Sequence, residues 1–162
     1  MVDNVNMEHG AYVRCRLRQD LLTLTVASGT APIERIACPL DAVRQVLLPD
    51  RLDGARLEQA IARTEDLIMP ILARLPPQAR LQVLGTDMQA IRDLLQDDPG
   101  DAVPLASVEH LFNHFAERVL GSVSSWPYDT DPGTIALPLV VLRELMHHGG
   151  FDACEWPERG TG

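Results

Sequence analysis

The chain has 162 residues, enough for one domain, and its 46% hydrophobic content supports an ordered core without disulfides or metals. Its net charge is −9, and all 14 basic residues are arginine, which excludes Schiff-base, P-loop and kinase-type lysines. Residues 101–162 carry 9 acids against 3 arginines, so that third repels phosphate backbones and no nucleic-acid partner is expected.

Aromatic residues make up only 4%, so the core must be built from Leu, Val, Ile and Ala. No apolar run approaches the ~20 residues of a membrane span, and the longest, Ile135 to Leu142, is interrupted by Pro138. No membrane association is expected. Residues 1–10 read as a flexible leader, polar and acidic rather than a signal peptide, which points to the cytoplasm. Cys15, Cys38 and Cys154 are far apart and odd in number, against a disulfide framework or a CxxC metal site.

Tyr12 to Arg18 alternates strictly, with Val13, Cys15 and Leu17 on one face and Tyr12, Arg14, Arg16 and Arg18 on the other. After the Gln19-Asp20 turn, Leu22, Leu24 and Val26 continue as a second strand. Beyond Ser28-Gly29-Thr30, Ile33 to Cys38 gives a third. Three strands on tight turns predict an antiparallel meander. Leu40 to Leu48 reads as a short helix, with Val43, Val46, Leu47 and Leu48 as its apolar positions, ended by Pro49-Asp50.

A long helix follows from Asp53, with Leu57, Ile61, Leu67, Ile68, Ile71, Leu72 and Leu75 as its apolar stripe. Pro70 lies inside it. The stripe runs through without a phase shift, which favours a kink over a break. Arg80 to Leu84 is a strand, left through Gly85-Thr86, and Asp87 is the expected N-cap of a helix burying Met88, Ile91, Leu94 and Leu95. Gln96 to Pro104 reads as an exposed loop, with 97–104 as a candidate sub-boundary. Ser107 is the expected cap of a helix with a Val108, Leu111, Phe112, Phe115, Val119 stripe. An irregular connection from Gly121 to Gly133 leads to a last helix over Pro138 to His148, stopped by Gly149-Gly150. Phe151 to Trp156 either adds a short strand or lies across the core, and 158–162 reads as a disordered tail.

The predicted class is therefore α/β (mixed α+β). N-terminal antiparallel strands join the central strand Arg80–Leu84 in one sheet packed by four to five helices, with a single domain over 11–157.

Chemistry-bearing residues are sparse. His110, His114 and Glu117 share one stripe of a helix at ligand spacing, but HExxH would need Glu at position 111, where Leu111 stands. His147 and His148 occupy a last helical turn, where the helix dipole alone favours histidine, and their rings diverge by about 100°. Ser124 and Ser125 have no GxSxG elbow around them. Gly85-Thr86-Asp87 is the kind of strand-to-helix turn at which α/β proteins hold ligands, yet its acid repels a phosphate. Arg14, Arg16 and Arg18 form either an anion or acidic-partner surface or a solvated strand face. Trp126 and Tyr128 form either a partner-binding spot or a loop folded onto the core.

Arg51 to Ala73, then Leu81-Gln82-Val83-Leu84-Gly85-Thr86 and Ala90-Ile91-Arg92, resembles the exopolyphosphatase/guanosine-pentaphosphate phosphatase family of the actin-like ATPase superfamily. These stretches are similar to that family's helix, its strand and the "ATSAxR" segment after it, with two extra residues here between Thr and Ala-x-Arg. Thr134 to Phe151 is similar to a later helix of the family. The resemblance covers about half of the chain. The family's D-x-G-S-N and D-x-G-G-G-S phosphate loops have no counterpart, and the length leaves no room for two full lobes. The resemblance thus implies a reduced relative without its phosphate cradle, and none of the family's functional residues maps onto this chain.

Two functions follow as expectations. One is a non-catalytic interaction or scaffold domain that needs no cofactor and binds a protein partner or itself. The other is a small metal-dependent hydrolase using His110, His114 and Glu117, with His147 or His148 as further ligands.

Overall fold

The computed structural model describes residues 10–28, 31–48, 50, 52–95, 102–121 and 126–157. The expected leader up to residue 9, the tail over 158–162, Gly29-Thr30, most of the 97–104 loop, Ser124 and Ser125 lie outside the described residues.

Alternation dictates the first three strands. In β1 (Ala11–Arg18), Val13, Cys15 and Leu17 are buried while Arg14, Arg16 and Arg18 are exposed. β1 pairs antiparallel with β2 (Leu21–Ser28), and β2 with β3 (Ala31–Pro39), with a register irregularity between Val26 and Ala27. The turn between β1 and β2 places Gln19 at φ 55°, a left-handed conformation.

The short helix α1 (Asp41–Val46) buries Val43 and Val46, and Leu47 just beyond it is buried too. Leu48, expected on the same stripe, is exposed because the helix has already ended. The chain then enters α2 (Gly54–Leu72), capped by the Asp53 carboxylate accepting from the Arg56 N–H at 2.8 Å. Helix α2 continues through Pro70 to Leu72. Its buried stripe is Leu57, Ala60, Thr64, Ile68 and Ile71; Leu67 is exposed, so the packed face is rotated from the one expected. Small residues at 60 and 64 permit that rotation, and the Thr64 hydroxyl, fully buried, donates to the Ala60 carbonyl at 2.8 Å.

Strand β4 (Arg80–Leu84) lies parallel to β1, with Val13 opposite Leu81 and Cys15 opposite Val83. Helix α3 (Thr86–Leu94) follows directly, burying Met88 and Ile91. Asp87, the N-cap expected from sequence, is not the cap. The N-cap is Gly85, and the Asp87 carboxylate instead accepts from the Gln19 N–H at 2.9 Å, tying α3 to the β1–β2 turn.

The stretch read as loop before Ser107 contains a strand, β5 (Ala102–Pro104). Helix α4 (Leu105–Val119) starts two residues before Ser107 and has no side-chain cap; the Leu105 N–H donates to the Asp152 carbonyl at 2.8 Å. The last helix also begins earlier than expected. Helix α5 (Pro132–Gly149) opens with Pro132, and the Asp131 carboxylate accepts from the Gly133 N–H at 2.9 Å. Gly150 caps its C-terminus at φ 68°, as the sequence predicts. Strand β6 (Ala153–Glu155) then pairs parallel with β4 and antiparallel with β5.

The sheet is open and mixed, in the order β3-β2-β1-β4-β6-β5. Helix α5 is its central support: it packs against α2, α3 and α4, and every residue from Ile135 to Leu142 is buried. A helix apolar on all sides needs neighbours on all sides. One face of the sheet meets this helical layer through Val13, Cys15, Leu22, Leu24, Ile36, Leu81, Val83 and Cys154. The strand pairing leaves the opposite face to Arg14, Arg16, Arg18, Thr23, Thr25, Arg35, Arg80 and Gln82, all exposed or half-buried.

Candidate functional site

The open sheet face carries the strongest local charge. Register sets Arg14 opposite Thr25, and Thr25 opposite Arg35; on the other side Arg14 faces Gln82 and Tyr12 faces Arg80. Five of the 14 arginines therefore share one surface of an acidic chain, and Glu155 of β6 is the acid on that face among the described strand residues. Alternate residues on a strand stand about 7 Å apart, within the ~8 Å over which charges act on each other at physiological salt. Arg80 is neutralised: its guanidinium pairs with Glu155 and lies 5.5 Å from the centre of the Tyr12 ring, and the Glu155 partnership raises its pKa further. The Arg14 Nε donates to the Gln82 side-chain oxygen at 3.1 Å, and Arg14 is exposed. Among the described residues no acid pairs with Arg16, Arg18 or Arg35.

The sequence exposed only part of this surface. Arg14, Arg16 and Arg18 show in the local alternation, but Arg35 and Arg80 join them only through the pairing of β3 and β4 with the N-terminal hairpin.

A cavity of about 520 Å³ opens where β1 and β4 end. Leu17 and Gln19 form its floor, the start of α3 (Thr86, Asp87, Ala90) one wall, and Gly133, Thr134 and Leu137 of α5 another; Arg44, Leu47 and Leu48 close the third side. Among the described residues, no histidine, cysteine, serine or glutamate lines it. Its acid, Asp87, is occupied by the Gln19 N–H. This lining is mostly apolar, with Thr86 and Thr134 supplying its hydroxyls.

The four described histidines separate into two places. On α4 the His110 and His114 ring nitrogens lie 3.1 Å apart with ring centres at 4.5 Å, while Glu117, on the same stripe, is exposed and joins no three-residue ligand group among the described residues. At the end of α5, the His147 and His148 rings meet edge-on with centres 5.1 Å apart, yet their nitrogens face different acids. His147 Nδ1 approaches Glu109 of α4 at 3.6 Å, whereas His148 Nε2 lies 3.0 Å from Glu144 and 3.8 Å from Glu65 of α2. Sequence spacing could have flagged Glu144 and His148 as an i,i+4 pair; nothing local points to Glu65.

Trp126 and Tyr128 fold back onto the core. The Trp126 ring meets Phe115 edge-on at 6.4 Å and Tyr128 at 4.9 Å, and its indole N–H donates to the Thr130 carbonyl. All three cysteines are free and buried, and burial pushes the Cys15 and Cys154 thiols up to about 12, with Cys38 also raised.

No family model matches the chain, and no curated protein matches it. Solved structures do. The PPX-GPPA enzyme of Aquifex aeolicus superposes with a TM-score of 0.71 at 12% identity, over 91% of this chain and 53% of that one. An exopolyphosphatase from Cytophaga hutchinsonii gives 0.64 at 7% identity, over 93% of this chain and 54% of its own. The chain thus spans about half the length of the structures it matches. What it shares with them is the fold, and the partial Ppx/GppA resemblance read from Arg51 to Arg92 and Thr134 to Phe151 holds at that level.

Proposed function

We propose that this chain is a non-catalytic protein-interaction domain on a Ppx/GppA-like fold, docking an acidic partner surface on its open arginine face. The observation that carries this reading is the uncovered row of Arg14, Arg16, Arg18 and Arg35 on a chain of net charge −9. Such charge segregation favours one orientation of approach. A bidentate guanidinium suits carboxylates, and each such pair is worth more when its partner excludes water. Binding without chemistry agrees with a strand-end cavity whose lining is mostly apolar and with the missing glycine-rich phosphate loops.

The test is affinity capture from the source cells with the wild-type chain and the double variant Arg14→Glu/Arg16→Glu, at low and at 0.5 M salt. Both positions are exposed, so circular dichroism should be unchanged. The expected result is a salt-sensitive protein partner lost by the variant. Hydrolysis of polyphosphate by the purified chain, or tighter retention of polyphosphate than of any protein, overturns the reading. So does a partner captured equally by the variant.

A further inference from the structure

The geometry points to a divalent transition-metal site between α2 and α5, with Glu65, Glu144 and His148 as ligands and Zn²⁺ as its fitting ion. The three ligand atoms lie within 4.8 Å of one another. His148 Nε2 lies 3.0 Å from Glu144 Oε2 and 3.8 Å from Glu65 Oε2. Bonds of about 2.0–2.1 Å in a tetrahedral zinc site hold neighbouring donors about 3.3–3.4 Å apart, midway between these values. A small side-chain adjustment suffices.

The cluster is not a surface acid patch. Glu144 is only 1% exposed, on a helix buried on nearly all sides, and Glu144 and His148 stand at i,i+4 on its same face. The two oxygens of Glu144 have separate tasks. Oε1 accepts from Arg143 Nη1 at 2.7 Å, and Arg143 is held in turn 4.7 Å over the Phe112 ring of α4. Oε2 is turned toward His148 and Glu65. A carboxylate oriented by a second hydrogen bond while its other oxygen faces an imidazole is the arrangement that supports metal ligation. The two glutamates and the imidazole form a mixed N,O set, which suits zinc and its first-row neighbours rather than Mg²⁺, an ion of all-oxygen octahedra. Glu65 and His148 remain partly exposed, giving the ion a way in and leaving a fourth position for water. The ion would fasten α2 to α5, the packing on which the helical layer depends.

The test uses the full chain stripped with a chelator, then titrated with Zn²⁺ and, separately, Mg²⁺. Calorimetry and elemental analysis give stoichiometry, and thermal melts give the shift. One zinc per chain, a raised melting temperature and no response to Mg²⁺ are expected. Glu65→Gln and His148→Gln should each weaken zinc at least tenfold and abolish the thermal shift, while their metal-free melts show that they fold. His110→Ala should leave both intact, which separates this site from the imidazole pair on α4. Zinc affinity unchanged by Glu65→Gln and His148→Gln, or lost with His110→Ala, overturns the proposal. So does the absence of stoichiometric binding, which would leave Glu144 and His148 as an ion pair.

Discussion

Replacing Gly149 by alanine should destabilise the protein, although the same change in most helices stabilises. Gly149 is the last residue of α5, where alanine gains at most about 1 kcal/mol over glycine. Against that gain, a Cβ on Gly149 would sit 2.5 and 2.7 Å from two atoms of the Phe151 ring and 3.4 Å from Leu72 Cδ2. Phe151 is buried, so its ring cannot swing into solvent without losing its packing. Overpacking of this kind costs about 1–3 kcal/mol, which exceeds the helix gain over most of its range. The expected outcome is a net loss of about 1 kcal/mol, read by urea unfolding at constant m, with a fall of about 2–4 °C in melting temperature for a chain of this size. The double-mutant cycle with Phe151→Ala isolates the cause. In that background the space exists, and Gly149→Ala should become neutral or stabilising. A stabilising Gly149→Ala in the wild-type chain, or the same effect in both backgrounds, would refute the reasoning.

Three further outcomes follow from the same geometry. Gly150→Ala should cost about 1 kcal/mol, because φ 68° strains a residue with a Cβ, while Gly150→Asn should cost less; chemical unfolding compares them. Asp131→Ala should remove the cap of α5 and lower stability by about 1 kcal/mol, with Asp131→Ser recovering most of it. The native thiols of Cys15 and Cys154, pushed up to about 12 by burial, should resist a thiol reagent at pH 8 and react on unfolding. Their linkage has a definite sign. Between the ordinary thiol pKa of 9.0 and about 12 the folded chain holds protons that the unfolded chain releases, so stability should fall as pH rises through that window. A stability profile flat from pH 8 to 11 would contradict it.

Much of the fold was legible in local pattern, and the misreadings share one cause. Strict alternation identified β1, and Pro76-Pro77 and Gly85 bracketed β4 at its observed limits. The start of α5 was misplaced because Pro138 reads as a first-turn proline. In the molecule it sits well inside the helix, and packing of α5 against three other helices outweighs a cost of about 3 kcal/mol. Asp87 and Ser107 were assigned as caps from residue type alone. Asp87 instead serves a backbone N–H brought to it from the β1–β2 turn, and α4 begins before Ser107 through a bond to Asp152. Leu67 reads as inside because the 3.6-residue period tolerates a rotated stripe, and packing against α1, α4, α5 and β3 selects which rotation is buried.

The sequence by itself determined the α/β class, most element positions, the free cysteines and a resemblance of pattern to a Ppx/GppA-like fold, since each depends on spacings of two to four residues. Tertiary structure decided which side chains meet. Arg35 and Arg80 reach the arginine face through sheet register, and Glu65 reaches Glu144 and His148 through the packing of α2 on α5. Those distances are set by how whole strands and helices stack, a choice made by the summed burial of many side chains, and no short stretch of the chain encodes it.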